Sequence, residues 1–561
     1  MIDAKRSAPP PPVPPLANTA TPNGEGGKEG GGSRGGGVLR ATGMTIGLVL
    51  LSRVLGVVRD MVLAARFGQS ETTTVFGRAF AVPDLIALVI AGGALSSVFI
   101  PVFAEYWSDK REDEAWRMFG TIMTVVGGIV AALVIGMEAG VAPLTRLLNP
   151  RFSPDAVVDT ARLTQILLPA QWCFLIGGLM MGTLYARKRF LIPALAPIFY
   201  NLGQIIGGLF FGGGPGDPTE RIASMAWGAL IGAFAGNIVL PFWELWRVGV
   251  RWKPGWDLSH PGVRRVGQLM IPVLLGQSLS QLNMWITGFF LPEDARFSAL
   301  RNAYNLTQAP IGVFAQAFGI VLLPTISTLA AQKDWPAFRE AVSVGVRRVL
   351  FLTIPASLLM AALAFPLVRV LYKQGKFDET DVGMAAAALL CYSLSTFAWS
   401  ALAILARGFY ARQDTWTPVL VTTPMVAAFA LIGFTYARMV PSGYLGLALG
   451  TSLVGVVTML LFLFLLQKKV GGLNVRGIAA SVGRITLSSV FSGAVAYGLA
   501  RVLEPLLGLN KLGSLVTLLV AGGAGLAVYA GLCALLRVPE LRGVRDMFRK
   551  SRSGAQGPEP E

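Results

Sequence analysis

The sequence predicts an all-α integral membrane protein of about fourteen transmembrane helices, arranged as two six-helix pseudosymmetric lobes plus a C-terminal helix pair. Three observations predict this fold. Only 14% of the 561 residues are charged and 53% are hydrophobic, whereas soluble proteins carry about 25% charged residues. Apolar stretches long enough to cross a bilayer alternate with short loops. Several motifs also recur at a nearly constant offset, which indicates an internal repeat.

The chain begins with a segment, residues 1–40, that is too poor in apolar side chains to fold. It is first proline-rich (PPPPVPP) and then glycine-rich (GEGGKEGGGSRGGG). Such compositions bury too little apolar area to offset the entropy of ordering the chain. The segment lacks the apolar core of a signal peptide. We predict a disordered cytoplasmic tail.

Fourteen apolar spans follow this tail. Their approximate limits are 43–67, 75–104, 119–146, 163–185, 191–212, 222–246, 266–291, 299–329, 346–371, 383–406, 417–437, 443–466, 478–502 and 513–536. An α-helix crosses the hydrocarbon core of a bilayer in about 20 residues, so each span is long enough. The loops between them leave no room for a soluble catalytic domain.

The first twelve spans form two copies of one unit. PLTRLL at Pro143–Leu148 returns 223 positions later as PLVRVL at Pro366–Leu371, and LYARKRFLIP at Leu184–Pro193 returns 225 positions later as FYARQDTWTP at Phe409–Pro418. An even number of helices per copy inserts both copies the same way up, related by an axis along the membrane normal. The predicted domains are an N-terminal lobe, a second lobe, an added helix pair and a basic, then polar cytoplasmic tail, at 41–250, 251–470, 471–537 and 538–561.

The basic residues that give the net charge of +17 indicate the membrane topology by their distribution over the loops. Lysine and arginine are concentrated in loops after even-numbered spans, such as Arg187–Arg189, and the loop after the first span holds only Arg66. Basic loops stay on the cytoplasmic side, so both termini are predicted to be cytoplasmic and no nucleic-acid partner is expected. Three scattered cysteines and the single His260 exclude the common zinc and haem sites.

The first span carries charges that a lipid-facing helix rarely holds. Within LSRVLGVVRDMVLAARF at Leu51–Phe67, the residues Arg53, Arg59 and Asp60 lie well away from both ends. A charge near the middle of the bilayer costs at least about 2.5–3.5 kcal/mol, so it faces a protein interior or a wet cavity. Two interpretations stay open: ion pairs that lock helices together, and a water-filled cavity that receives an anion.

Two further arginines favour the cavity. Arg78 and Arg301 are 223 positions apart, which is the repeat offset, so they should face each other between the lobes. Alternatively, both lie near the ends of their spans and extend to water. With Arg53 and Arg59 they would place four cations around one cavity, with Asp84 nearby. Guanidinium groups bind phosphate oxygens in pairs, so we predict an anionic, phosphate-bearing substrate.

The last two spans are apolar and rich in small residues, as in AGGAG at Ala521–Gly525. Small residues allow helices to pack closely. They would equally allow a groove for a lipid chain, and the sequence leaves both interpretations open.

Six stretches resemble one known family. They are SRVLGVVRD at Ser52–Asp60, AARFG at Ala64–Gly68, AGGALSSVFIPVFAEY at Ala91–Tyr106, RKRFLIPALAP at Arg187–Pro197, QGKF at Gln374–Phe377 and GFYARQDTWTP at Gly408–Pro418. They are similar to motifs of the MurJ (MviN) family of lipid II flippases, within the multidrug/oligosaccharidyl-lipid/polysaccharide exporter superfamily. The resemblance covers about residues 42–540.

The resemblance implies a function in bacterial cell-wall synthesis. Members of the family move undecaprenyl-pyrophosphate-linked disaccharide-pentapeptide from the inner to the outer leaflet of the bacterial cytoplasmic (inner) membrane, without ATP. The implied partners are this substrate, membrane lipids and other cell-wall synthesis proteins, and the helix pair is implied to form a groove for the lipid tail. No enzymatic activity and no cofactor are expected, apart from a coupling cation of unidentified kind.

The match to the family is incomplete at its charged positions. Ser52, Arg53, Arg59 and Asp60 match the motif of the first helix. Other charged family positions fall on neutral residues, namely Thr74, Ala81, Ala87 or Leu88, Gly92, Asn305 and Gln308.

We therefore predict that Arg53, Arg59, Arg78 and Arg301 bind the pyrophosphate, with Arg78 and Arg301 replacing the missing cations. The predicted supporting residues are Ser52, Asp60, Asp84, Asn305 and Gln308. Two alternatives stay open. One is an exporter of another lipid-linked oligosaccharide or small molecule of the same superfamily, and the other is a membrane scaffold that does not transport.

Overall fold

A computed structural model describes most of the chain, and within that part the chain is helical with no strand. The described residues are 34–90, 94–187, 189, 191–213, 216–251, 253–268, 282–292, 294–412, 414, 416–439 and 443–541. Most of the predicted N-terminal tail, most of the predicted C-terminal tail and Gly92 lie outside them.

The first lobe consists of helices α1 to α10. Their bounds are α1 Arg34–Phe67, α2 Glu71–Arg78, α3 Ala81–Ile90, α4 Ala94–Ser108, α5 Glu112–Ala139, α6 Val141–Leu148, α7 Pro154–Ala186, α8 Leu191–Ile206, α9 Pro218–Phe234 and α10 Leu240–Arg247. Polar residues start several of them. Ser70 caps α2 in a capping box with Thr73, and Ser153 caps α7, whose first residue is Pro154. These side chains satisfy backbone N–H groups that a helix start leaves unpaired.

The second lobe consists of helices α11 to α19, and α20 and α21 form the C-terminal pair. Their bounds are α11 Leu282–Phe290, α12 Ala295–Pro310, α13 Gln316–Ala331, α14 Trp335–Ala362, α15 Ala364–Tyr372, α16 Glu379–Ser393, α17 Thr396–Ala411, α18 Trp416–Met439, α19 Tyr444–Val470, α20 Val475–Leu507 and α21 Lys511–Leu535. A π-helical turn, Ile311–Ala315, joins α12 to α13. Such turns widen a helix locally and are frequent at functional sites.

The helices agree with the predicted spans. Nine helical segments in the described part of the chain are long and apolar enough to cross a membrane, and the pair α16 and α17, bent by 43°, makes a tenth. Of the remaining four predicted spans, the first overlaps the charged α1, the second overlaps α2 to α4, the seventh contains α11, and the eighth overlaps α12 and α13. The prediction of an all-α membrane fold is confirmed.

Glycines allow close contacts between helices at two places. A Cβ atom at Gly203 on α8 would lie 2.1 Å from the carbonyl oxygen of Gly228 on α9. In the C-terminal pair, Ser492 donates a hydrogen bond to the carbonyl of Gly525 at 2.7 Å. Small residues let membrane helices approach this closely. Gly525 of the AGGAG run therefore serves close helix packing.

The lobes contact each other at the helix ends that lie on the outer side in the predicted topology. Thr74 on α2 and Ser298 on α12 are joined by a hydrogen bond of 2.8 Å between their hydroxyl groups. The backbone N–H of Gln69 donates to a carboxylate oxygen of Asp381 at 3.1 Å. These bonds join the two lobes at their outer ends.

Candidate substrate site between the lobes

The charged centre of α1 is a hub that joins the lobes. Arg59 donates to Oδ1 of Asp60 through Nε at 3.0 Å and through Nη2 at 2.8 Å. Its Nη1 donates to Oδ1 of Asn201 on α8 at 3.2 Å. The second carboxylate oxygen of Asp60 accepts a hydrogen bond from Nδ2 of Asn305 on α12 at 3.2 Å. One carboxylate thus connects an arginine of the first lobe to an amide of the second.

Arg301 adds a second cation to this hub. It lies one turn before Asn305 on the same face of α12, within electrostatic range of Asp60 and Arg59. Its guanidinium forms no hydrogen bond to another described residue, and its Nε is buried without a partner. A Cβ atom at Gly77 would lie 2.6 Å from its Nη1, so the side chain rests against α2. The positive charge of Arg301 is therefore not used by a structural ion pair.

Arg53 is the third cation, about 9 Å from Arg59 along the helix axis. Its side chain is exposed, and a Cβ atom at Gly312 in the π-helical turn would lie 2.6 Å from its Nη1. No described residue forms an ion pair or hydrogen bond with it. The neighbouring Ser52 carbonyl accepts a hydrogen bond from Nδ2 of Asn201 at 3.3 Å, so α8 supports α1 from within the first lobe.

Arg78 has surroundings that differ from the prediction. Its side chain is 2% exposed, and its guanidinium carbon lies 5.3 Å from the ring centroid of Phe297. Its Nε donates to Oδ1 of Asn149 at 2.5 Å and its Nη2 to the carbonyl of Leu148 at 2.9 Å. Leu148 and Asn149 lie at the C-terminal end of α6, where unpaired carbonyls and the helix dipole favour a cation. Arg78 thus holds helices together, and its guanidinium is not part of the hub around Asp60.

The remaining predicted residues flank the hub. Gln308 lies on the same face of α12 as Asn305 and forms a hydrogen bond with the phenol of Tyr304. Asp84, half-buried on α3, lies within electrostatic range of Arg78 and belongs to its surroundings. The structure therefore brings Arg53, Arg59, Asp60, Arg301 and Asn305 to one interlobe cluster, and their role in binding stays a prediction.

Sequence reasoning missed Asn201. This amide is 7% exposed and bonds both Arg59 and the Ser52 carbonyl. Burying an asparagine inside an apolar span without partners costs free energy, so its presence in this span indicates that its amide forms hydrogen bonds in the fold.

The cluster is suited to binding an anion. Arg59 pairs with the Asp60 carboxylate, Arg301 lies within electrostatic range of it, and Arg53 lies about 9 Å from Arg59 along α1, so three positive charges accompany one negative charge. The Arg59–Asp60 pair is largely buried, with side-chain exposures of 26% and 12%. Phosphate and pyrophosphate oxygens match the paired N–H groups of arginine. Within the described residues, no group of three His, Cys, Asp or Glu side chains is placed to hold a metal ion.

Two helical lobes that contact each other at their outer ends and at Asp60, with a cationic cluster between them, define a membrane transporter of the two-lobed type. Residues 63–516 match the family model described as lipid II flippase MurJ. The chain is 30% identical over 517 residues to the probable lipid II flippase MurJ of Vibrio cholerae, covering 88% of this chain and 94% of that protein. It is also 30% identical over 452 residues to the lipid II flippase MurJ of Burkholderia cenocepacia, covering 79% and 84%. The chain belongs to the lipid II flippase MurJ family.

Solved structures show the same fold. A lipid II flippase MurJ in its inward closed conformation gives a TM-score of 0.72 at 22% identity, covering 88% of this chain and 98% of that chain. An inward-facing multidrug resistance MATE family transporter of the MOP superfamily gives 0.60 at 12% identity, covering 75% and 94%.

Proposed function

We propose that the protein is a lipid II flippase, which moves the undecaprenyl-pyrophosphate-linked peptidoglycan precursor from the inner to the outer leaflet of the bacterial cytoplasmic membrane. Family membership supports this substrate. The observation that carries the proposal is the interlobe cluster, in which Arg53 and Arg301 have no ionic partner among the described residues and therefore have charge available for a pyrophosphate.

The hub residues have separate roles in this proposal. Arg301 and Arg53 contact the pyrophosphate oxygens, each hydrogen bond to a charged group contributing about 1.5–3 kcal/mol. Arg59 is held in place by Asp60 and Asn201 and presents its charge without a large loss of side-chain entropy. Because Asn305 bonds to Asp60, an anion that draws Arg59 away from Asp60 also loosens a contact between the lobes. Substrate binding is thereby linked to the movement of one lobe against the other.

The proposed movement is alternating access without ATP. The lobes rock so that the cluster opens first to the inner and then to the outer side. A membrane potential contributes about 2.3 kcal/mol per charge per 100 mV, and a potential that is negative inside drives an anion outward. A coupling cation, of a kind we do not assign, would assist the return of the empty protein. The substrate undergoes no covalent change, so we propose no enzymatic activity.

The proposed topology places both termini in the cytoplasm, as the distribution of basic loops predicts. The partners are the lipid-linked substrate, the surrounding membrane lipids and other cell-wall synthesis proteins. No nucleic acid is involved.

A transport assay in proteoliposomes tests the proposal. Lipid II with a fluorescent headgroup is placed in the membrane, and its appearance in the opposite leaflet is measured by quenching. We expect Arg301→Ala to lower the rate at least about tenfold, the equivalent of one lost charge-assisted hydrogen bond. Arg501→Ala is the control, because Arg501 is exposed and bonds only to Tyr497 among the described residues. Equal rates for both variants would refute the assignment of the site.

The neutral residues Asn305 and Gln308 favour a second candidate, an exporter of another lipid-linked oligosaccharide. A cluster whose charged positions differ from the family pattern suits a headgroup that differs from that of lipid II. The same assay with an undecaprenyl-monophosphate-linked sugar separates the candidates, since a lipid II flippase should move the pyrophosphate substrate faster.

A further inference from the structure

The segment between α15 and α16, residues 373–378, contacts the end of α1 across the lobe interface. The backbone N–H of Lys376 donates to the carbonyl of Ala65 at 2.9 Å. Nε2 of Gln374 donates to the carbonyl of Met61 at 3.1 Å. Both acceptors are backbone carbonyls of the last two turns of α1, and that of Ala65 is among the last four, which lack partners within their own helix.

Two glycines make this contact as close as it is. Gly68 has φ +68° and Gly375 has φ +60°, which are left-handed conformations that favour glycine. A Cβ atom at Gly375 would lie 2.0 Å from the Ala65 carbonyl oxygen, and one at Gly68 would lie 2.8 Å from the Lys376 carbonyl oxygen. The two lobes therefore meet backbone to backbone at their outer ends.

The same segment also holds the C-terminal helix pair. Nζ of Lys373 donates to the carbonyl of Leu509 at 2.8 Å, and Nζ of Lys511 donates to Oε1 of Gln374 at 3.2 Å. Just before the segment, Arg369 is 3% exposed and pairs with Glu504 of α20 at 2.8 Å. The segment therefore lies between the first lobe and the helix pair, and it contacts both.

Gln374 is the residue that joins the two sets of contacts. Its amide oxygen accepts from Lys511 of the pair, which leaves its amide nitrogen directed at Met61 of the first lobe. If α21 moves, Gln374 loses the contact that orients it. If the lobes separate, it loses the other contact. A single side chain thus responds to the positions of both parts.

We propose that residues 373–378 are a latch that couples opening of the outer side to the position of the C-terminal helix pair. The proposal rests on the proposed function, in which opening of the outer side is a step of transport. The latch keeps the outer side closed while Lys511 orients Gln374. A displacement of α21, such as a lipid chain seated beside it would cause, releases Gln374 and favours opening. Coupling of this kind requires an element whose conformation depends on both sites. Residues 373–378 contact both the first lobe and the C-terminal helix pair, so they can serve as that element.

Accessibility of a cysteine at position 298 tests the latch. Ser298 is 1% exposed at the lobe interface, so a cysteine there reacts with a thiol reagent only when the outer side opens. The variant Ser298→Cys is made with the native cysteines replaced by alanine, namely Cys173, Cys391 and Cys533. The labelling rate is measured on the full chain in lipid nanodiscs, which expose both sides. A cysteine at Thr353, buried in the second lobe, reports unfolding.

Two substitutions establish that the contact closes the outer side. Gly375→Ala should raise the labelling rate at least about tenfold, because its Cβ atom collides with the first lobe. Gly249→Ala is the matched control, since Gly249 has φ +77° but no atom within 4 Å of the added Cβ, and its rate should stay within about twofold of the wild type.

Two milder substitutions test the coupling itself. Lys511→Met removes one side-chain hydrogen bond and Gln374→Ala removes two. Each should raise the labelling rate at least about fivefold, while the Arg501→Met control should not. Wild-type labelling in Lys511→Met would overturn the coupling, whatever the effect of Gly375→Ala. If the labelling pattern holds but lipid II is not transported, the proposed function fails and the latch stands.

Discussion

Asp60 on α1 accepts a hydrogen bond from Asn305 on α12 at 3.2 Å, and its other oxygen pairs with Arg59. This carboxylate therefore connects the charge of the first lobe to the second lobe. A substrate anion has to compete with it for Arg59. The strength of the competition decides how tightly the substrate binds and how readily it leaves.

Asp60→Asn should slow transport about tenfold, because the neutral amide no longer competes with the substrate anion for Arg59 and the substrate is released more slowly. The rate of lipid II movement in proteoliposomes measures this effect. Asp257→Asn, which alters a partly exposed ion pair with Arg117 on the predicted inner surface, is the control. Transport at the wild-type rate in Asp60→Asn would show that the pair with Arg59 has no part in transport.

Arg78 and Arg301 should respond differently to substitution by methionine. Arg78→Met leaves the buried acceptors of Asn149 and Leu148 unpaired, at about 1–3 kcal/mol each, and should lower the melting temperature by several degrees. Arg301→Met should leave the melting temperature unchanged or raise it, since its buried Nε has no partner, and should still reduce transport. The two measurements are thermal unfolding in detergent and the proteoliposome assay. A loss of transport in Arg78→Met at an unchanged melting temperature would show that Arg78 takes part in substrate binding, against this account.

The repeat explains why these two arginines differ. Asn149 and Tyr372 are 223 positions apart, as are Arg78 and Arg301. In the first lobe the amide of Asn149 accepts from Nε of Arg78, and in the second lobe a buried tyrosine occupies the equivalent place. The prediction of equal roles paired the two arginines by the repeat offset alone. It did not compare Asn149 with Tyr372, although the sequence shows that these residues differ.

Arg369→Met should loosen the helix pair. Removing one partner of a buried ion pair costs about 3–5 kcal/mol, and we expect the lower end because Glu379, its second partner, is 44% exposed. Chemical unfolding of the purified protein gives this free energy. Adding Glu504→Gln to the variant should recover part of the loss. No recovery in the double variant would show that the destabilisation does not arise from an unpaired Glu504.

His260 should make the stability depend on pH. The residue is 6% exposed, its Nδ1 accepts the N–H of Gly262 at 3.1 Å, and burial lowers the pKa of the imidazole. Asp257, Glu114 and the nearby arginines set the surrounding charge. Between the lowered pKa and the ordinary value near 6.5, the unfolded chain binds more protons than the folded one, so stability falls as the pH drops through this range. His260→Gln should reduce the loss of melting temperature between pH 7.5 and pH 5.5, and an unchanged loss would contradict this account.

The fold was predictable because it follows from composition and repetition. Apolar length and the repeat of Pro143–Leu148 at Pro366–Leu371 indicated two similar helical lobes. The site was predictable only around α1, where charges inside an apolar span require partners. The partners themselves, such as Asn201 and Asn149, depend on tertiary contacts 142 and 71 positions apart in the chain. Neither helical periodicity nor the repeat offset specifies contacts of that kind.

Genetic complementation tests the central claim most directly. The chain is expressed in a bacterium depleted of its own lipid II flippase, beside Arg53→Ala, Arg301→Ala and the Arg501→Ala control, with equal amounts in the membrane verified for each. We predict that the wild type and Arg501→Ala restore growth and that Arg53→Ala and Arg301→Ala do not. Failure of the wild type would contradict lipid II as the substrate, and full rescue by both cluster variants would contradict the interlobe cluster as its binding site.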